Sequence, residues 1–475
     1  MHTFLWHDYE TFGVNTRSDR PAQFAAIRTD ADLNEIGEPL MCYCQPTPDY
    51  LPDPQSCLLT GITPQTCLTQ GINEAEFAAQ IEAALAQPNT IGVGYNTIRF
   101  DDEITRFLFW RNLIDPYARE WQNGCGRWDI LDVVRAAYAL RPDGINWPTN
   151  DEGRVSFRLE LLTAANHISH TAAHDALSDV RATIALAKLI RDKQPKLFDF
   201  CFKLHKKDAV TEQISLHAPR PFVHISGMIP VEQGCVMVAY PLATHPTNKN
   251  EIIVWNCMYD PSELTTLDVS TLRTRLFSKT DTLPTGITRL PIKSIHINKS
   301  PVVSPLNTLS AAQAQHWGLD LNTIMTNAAA CQQLGDMSAI WRDVYQREYA
   351  DKLDVDEDLY NGFINNDDRR VLTRLRTLTP ATLATANPSF SDARLDELLF
   401  RYRARNYPST LNALDTNRWQ DHCAERLFNG KQGARTLSQF SDAIDQLVEA
   451  TDERGEAILS DLYDYAERIT PNYPG

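Results

Sequence analysis

No run of about 18 apolar residues occurs in this 475-residue chain, which excludes an ordinary membrane-spanning helix. The N-terminus lacks the basic start and apolar core of a secretory signal, because Phe4-Leu5-Trp6 gives way at once to His7-Asp8-Tyr9-Glu10. A cytoplasmic protein is expected. Ten cysteines are scattered along the chain, and Cys42-x-Cys44 is the one tight pair. Without a second pair at suitable spacing it makes no convincing zinc site, and free thiols in a reducing compartment are expected. Repeats and low-complexity tracts do not stand out. Positive charge is in short supply, with 45 Lys and Arg against 61 Asp and Glu and a formal net charge of −16. That balance argues against indiscriminate binding to polyanions, although binding follows the local field rather than the sum. What remains is ordinary for a globular chain of two to four domains: 43% hydrophobic and 22% charged residues.

Against that background a few acidic residues and one histidine carry chemistry. Phe4 to Trp6 is bulky and aromatic, and Gly13 ends the segment, so a strand is expected here. Side chains two apart on a strand share a face, so Asp8 and Glu10 project together. A lone Asp-x-Glu is usually a solvated strand end. Two adjacent carboxylates in a less open place repel unless a cation intervenes, and magnesium takes oxygen ligands of this kind. Gly92 to Asn96 resembles a short strand leaving a tight corner, and Ile104, Phe107, Leu108 and Trp110 give the following segment an apolar helical face. Asp101 and Asp102 fall at the start of that helix, where either could simply favour the helix N-terminus. His174 precedes the helical pattern Ala176, Leu177, Val180, Ile184, Ala187 and Ile190, and Asp179 lies on it. A histidine titrating near neutral pH can take a proton from water, although most isolated histidines are ordinary loop residues.

The chain divides by texture. Residues 1–192 alternate strand signals (4–9, 23–29, 39–45, 90–95) with helical ones (74–85, 102–113, 128–140, 157–165, 175–191), which fits a mixed α/β sheet flanked by helices. Residues 196–349 carry short Val/Ile/Thr-rich runs broken by Pro and turns, with helical decoration at 311–321 and 331–349, which fits a small β-barrel-like domain. Residues 351–475 are dominated by helical patterns, including 393–402, 436–450 and 453–468.

The order Asp-x-Glu, Asp, His-x4-Asp resembles the DEDD exonucleases of the ribonuclease-H-like fold, in the branch with histidine. The likeness is closer to the bacterial exonuclease I family. It runs through His7 to Gly13, Gly94-Tyr95-Asn96 with Arg99 to Glu103, Tyr138 to Pro142, Gly144 to Pro148, Ser156 to Glu160 and Ala173 to Ala176. It continues through Val223 to Met228, His296 to Lys299, Leu359 to Phe363 and Arg403 to Asn406. The resemblance implies an SH3-like barrel in the middle segment and a C-terminal α-helical domain. It also implies a magnesium-dependent 3′-5′ exonuclease that degrades single-stranded DNA to 5′-mononucleotides, acting in DNA repair and recombination. Asp8, Glu10 and Asp179 would hold two Mg2+ ions, with Mn2+ as a substitute, Asp101 would complete the set, and His174 would be the general base. Arg106, Tyr117, Trp121, Arg135 and Arg158 match positions that line the path of the strand, with Glu10 a further substrate contact. Thr60, Gly61 and Ile62 match a loop that packs on the terminal bases. Stacking on flat aromatic faces tolerates any base, as an enzyme that consumes every nucleotide requires.

Lys203, Lys206, Lys207 and Arg220 are candidate phosphate contacts, and enclosure of the strand by the two later domains would favour processive digestion. The resemblance also implies binding to the acidic, hydrophobic tail of single-stranded-DNA-binding protein, for which Arg403 and Arg405 are candidates by charge. A monomer is expected. The competing readings are an RNA-trimming exonuclease, since sugar selection is not visible in sequence, and a non-catalytic single-strand-binding adaptor, which would have no use for repelling carboxylates.

Overall fold

The computed structural model describes residues 2–170, 175–346 and 353–470. The chain forms two compact units, one of Met1–Gly126, His170–Arg181 and Asp351–Gly475, the other of Arg127–Ser169 and Ala182–Ala350. The segments expected to be separate first and last domains thus contribute to one unit.

In the first unit, strand β1 (Thr3–Thr11) lies between β2 (Pro21–Thr29) and β4 (Thr90–Gly94), and β3 (Leu40–Tyr43) pairs with the far side of β2. β1 runs antiparallel to β2, with Phe4 opposite Thr29, and parallel to β4, with Thr3 opposite Thr90. The sheet is mixed, as expected. A central strand has both faces covered, which is why β1 is almost wholly buried despite its polar residues. Trp6 lies fully inside and its indole N–H donates to Thr29 Oγ1 at 2.9 Å.

Two short helices were not expected: α1 (Pro54–Thr60) and α2 (Pro64–Gln70). Each starts with Pro at its first position behind a capping side chain, Asp53 or Thr63, so the local signal was present in the sequence. Helix α3 (Glu74–Leu85) begins on an Asn73 cap, and α4 (Asp101–Arg111) opens with Asp101, Asp102 and Glu103 in its first turn. Leu5, Tyr9 and Phe24 of the sheet pack against Phe77 and Ile81 of α3 and Ile104 and Leu108 of α4. The C-terminal helices join this unit through apolar contacts. Phe107 and Trp110 meet Leu372, Leu395 and Leu398. Phe12, Cys57 and Ile62 meet Phe440, Ile444 and Leu462.

The second unit holds a five-stranded antiparallel sheet in the order Val302–Pro305, Phe222–Ile225, Val236–Thr244, Glu251–Asn256, Ile292–His296. Phe222, Met237, Val254, Ile295 and Val303 close its core with Leu204, Val210 and Ile214.

Several expected helix bounds change. The helix expected from Trp128 starts at Ile130, because Gly126–Asp129 is a strand and Asp129 caps the helix by accepting from the Leu131 N–H at 2.9 Å. The expected helix 331–349 is two helices, Leu321–Gln333 and Ser338–Val344, separated by Gly335 in the left-handed region at φ +72°; its last residues lie outside the described ones. The expected helix 311–321 stops at His316, before Gly318 at φ +68°. All ten cysteines are free. Among the described residues no helix is long and apolar enough to cross a membrane.

Candidate active site

Alternation on β1 sends Asp8 and Glu10 to one face and Tyr9 to the other. Tyr9 is buried, and its hydroxyl shares a 3.0 Å hydrogen bond with Thr105 on α4. The Tyr9 backbone N–H donates to Asp101 Oδ1 at 3.1 Å, which fastens the first residue of α4 to β1. Its neighbour Asp102 has another fate: it forms a 2.5 Å ion pair with Arg119 in which both side chains are buried. Of two adjacent aspartates that a helix N-terminus welcomes equally, an arginine neutralises one, while the other adds its charge to Asp8. Asp179 comes from the first turn of helix Ala176–Lys193, where the Ala176 N–H donates to the buried Gln23 Oε1 of β2 at 3.4 Å.

The ligand oxygens of Asp8, Glu10 and Asp179 lie within 4.8 Å of one another. Burial, then Asp101, Glu10 and Asp179, push the Asp8 carboxyl well above the usual range. Burial, then Asp179, Asp101 and Asp175, push Glu10 to about 8. Carboxylates this crowded take up protons unless a cation replaces them. Three oxygen donors, with neither sulfur nor nitrogen in the set, fit a hard divalent ion.

This crowding has a measurable consequence. The folded Glu10 value of about 8 lies above its ordinary 4.5, so between those values the folded chain holds the extra proton. The stability contributed by that proton is complete below the unfolded value and is lost as pH rises through the folded one. The metal-free protein is expected to melt lower at about pH 8.5 than at about pH 5.5, and saturating divalent metal is expected to remove most of that difference. Calorimetric scans with EDTA and with metal check this, and a melting temperature that climbs with pH in EDTA would contradict it.

The other candidate residues are distributed as follows. His174 lies outside the described residues. Arg106 is buried and forked onto Glu120, with Nε to Oε1 at 2.7 Å and Nη2 to Oε2 at 2.9 Å, while Nη1 reaches Glu103 and the Tyr360 hydroxyl. Its guanidinium stands 5.3 Å from the Tyr117 ring centroid. Trp121 is 65% exposed. Thr60 and Gly61 form the end of α1: the Thr60 hydroxyl donates to Ser56 O at 3.0 Å and Gly61 adopts φ +72°. Ile62 is 8% exposed and packs with Phe440 and Leu462, a core setting rather than a surface open to a terminal base. Arg135 and Arg158 belong to the second unit, where Arg135 pairs with Asp132 at 2.6 Å and Arg158 is exposed. Lys203, Lys206, Lys207 and Arg220 are exposed.

The two arginines expected by charge to meet a partner tail differ in setting. Arg405 is buried between Asp49 and Asp356 and offers no surface cation, whereas Arg403 is half-buried and sits 3.5 Å from Asp415. Burial between carboxylates, not exposure, explains the presence of Arg405. Sequence reasoning passed over His170, whose Nε2 contacts Asp179 Oδ1 at 2.5 Å, and Gln23. A second histidine four residues before His174 was the available signal for the former.

Known proteins resemble this chain over its whole length. Residues 5–187 match the exonuclease family, 205–347 the exonuclease I SH3-like domain and 353–469 the exonuclease I C-terminal domain. Exodeoxyribonuclease I of Haemophilus influenzae is 44% identical over 473 residues, covering 98% of each chain. The solved exonuclease I of Methylocaldum szegediense superposes with a TM-score of 0.94 at 44% identity, over 99% of this chain and 100% of that one. Escherichia coli exonuclease I bound to a dA16 oligonucleotide gives 0.94 at 43% identity with the same coverage, and its complex with SSB-Ct gives 0.91 at 43%, again with that coverage. A mixed-sheet nuclease part with converging acids, an SH3-like part and a helical C-terminal part therefore occur here in the family's own order, and the chain belongs to the exonuclease I family, whose nuclease domains depend on metal.

Proposed function

We propose that this protein removes nucleotides from the 3′ end of single-stranded DNA by hydrolysing the terminal phosphodiester bond on two magnesium ions. The observation that carries the reading is the convergence of Asp8, Glu10 and Asp179 within 4.8 Å beside Asp101, where burial and the neighbouring acids push the carboxyl groups of Asp8 and Glu10 above their ordinary range. Bound there, the ions would lower the pKa of the attacking water and neutralise the departing 3′ oxygen. Asp8, Glu10 and Asp179 hold them, Asp101 completes the negative field, and His174 takes the proton of the water. Manganese can replace magnesium on the same oxygen set.

Trp121, exposed at 65%, is a stacking platform, and Tyr117 lies beneath the Arg106 guanidinium. Arg135 and Arg158 contact phosphate in this reading, Glu10 also touches the substrate, and Thr60 and Gly61 shape the turn near the terminal base. The functional domains are residues 1–192, 196–349 and 351–475, and the setting is the cytoplasm. Since E. coli exonuclease I has been solved with SSB-Ct, a peptide of that kind is the protein partner proposed here, its binding readable by fluorescence anisotropy.

Base stacking contributes about 1–3 kcal/mol per base, so Trp121→Ala is expected to weaken binding of a short single strand by roughly 5- to 150-fold. Anisotropy with calcium in place of magnesium reads this without cleavage. Matched DNA and RNA strands, each labelled at one end and incubated with and without magnesium, test the whole assignment. Magnesium-dependent release from the 3′ end of DNA alone is the expected result. Release from RNA at the same rate, or from 5′ ends, would overturn it.

A further inference from the structure

Three carboxylates that repel one another need something besides the cation to keep them in register. Asp8 and Glu10 are fixed by β1, a central strand. Asp179 has no such frame, because it stands in the first turn of a helix whose start is the end of a loop. Contacts among the described residues restrain it, and one of them ties down the helix start. The Ala176 N–H donates to Gln23 Oε1, and Gln23 lies opposite Glu10 in the β1–β2 register, so the helix start is tied to the strand pair that carries the other acids. Another contact reaches the carboxylate itself: His170 Nε2 meets Asp179 Oδ1 at 2.5 Å, with the imidazole only 6% exposed.

We propose that His170 is a positioning residue for metal capture, its Nε2–H holding one oxygen of Asp179 so that the carboxylate presents itself to the cation alongside Asp8 and Glu10. The inference rests on the reading of those three acids as the metal site. A carboxylate has lone pairs enough to accept one hydrogen bond and still bind an ion. Donors of this type, one step removed from the metal, are worth 10- to 100-fold in affinity where they have been removed from other sites. His170 and Asp179 flank His174 in sequence, so a tether between them is the rival role, and the two differ in what they change. A tether affects turnover through the general base. A holder of Asp179 affects the metal itself.

The test is calorimetric titration of the full chain with Mn2+ alone, in the absence of DNA, on wild type, His170→Ala, His170→Gln and Asp8→Ala. The alanine variant is expected to bind manganese roughly 10- to 100-fold more weakly. Glutamine, whose amide N–H can donate to the same oxygen, is expected to stay near the wild-type affinity. In steady-state assays the alanine loss is expected in the half-saturating metal concentration rather than in kcat. Manganese affinity in His170→Ala that equals or exceeds wild type overturns the proposal, as does a fall in kcat with metal affinity unchanged. Uptake by wild type but not by Asp8→Ala confirms the underlying metal site independently of His170, whereas no uptake by wild type would sink that reading itself.

Discussion

Replacing Asp8 with alanine is expected to lower turnover by roughly 10³-fold or more while leaving the chain folded. The size follows from what a bound ion contributes, several kcal/mol of charge stabilisation at the reacting phosphate, with each 1.36 kcal/mol equal to about a factor of ten. Asp8 lies at the centre of the acidic group, since Asp101, Glu10 and Asp179 all act on it. Removing it takes away a ligand and the geometry that relates the other two. The fold should not suffer, because the charged form of Asp8 is already unfavourable in the folded chain: burial comes first among the causes, and three like charges follow. Asp8→Asn sharpens the point. It keeps the shape and deletes one repelling charge, so in EDTA near pH 8 its melting temperature is expected to equal or exceed that of wild type, with catalysis lost all the same. Quench-flow turnover and thermal scans on the same preparations separate the two effects. Turnover of Asp8→Ala within tenfold of wild type would remove the acidic group from the mechanism.

Parts of this site were legible in the sequence for simple geometric reasons. Asp8 and Glu10 are two residues apart on a strand, and a period of two puts them on one face whatever the rest of the protein does. Asp179 stood out as an acid within an apolar helical pattern. The choice of Asp101 over Asp102 came from the family resemblance and not from local geometry, because a helix start accepts either and the deciding partner, Arg119, is 17 residues away on a turn with no periodic signal. His170 was missed for a related reason: its contact with Asp179 follows no helical or strand period, and a lone histidine is unremarkable by itself. The helical C-terminal part was readable from its amphipathic spacing. Its membership of the same compact unit as β1 was not, since periodicity shows which face is apolar and says nothing about what covers it. Arg405 was read as a surface cation because arginines mostly are. Its true partner, Asp49, lies 356 positions earlier in the chain.

That buried arginine carries the second large effect. Arg405 Nη2 meets Asp49 Oδ2 at 2.7 Å and Nη1 meets Asp356 Oδ1 at 3.1 Å, all three side chains being almost fully enclosed. Arg401 adds 2.7 Å and 3.3 Å contacts to Asp354 and Asp356, and Arg20, between β1 and β2, reaches Asp356 at 3.2 Å. Arg405→Ala leaves Asp49 and Asp356 buried with their main counter-charge gone, and breaking a buried pair from one side costs about 3–5 kcal/mol. Lysine should recover only part of this, since it cannot fork onto two carboxylates. Asp49→Asn in the Arg405→Ala background should recover part as well, by removing one of the stranded charges. The pH dependence has a definite sign. Despite burial, Arg405 and the neighbouring arginines hold Asp49 and Asp356 well below their ordinary 3.8, so the stability they contribute is present above that value and lost as pH falls through the folded one. The deficit of Arg405→Ala is therefore expected to be constant across neutral pH and to narrow in acid. Guanidinium chloride unfolding followed by tryptophan fluorescence at several pH values reads it. An Arg405→Ala chain as stable as wild type at neutral pH would show that these ions are not what joins the C-terminal helices to the nuclease sheet, leaving the apolar contacts of Phe107, Trp110 and Ile62 to account for the union.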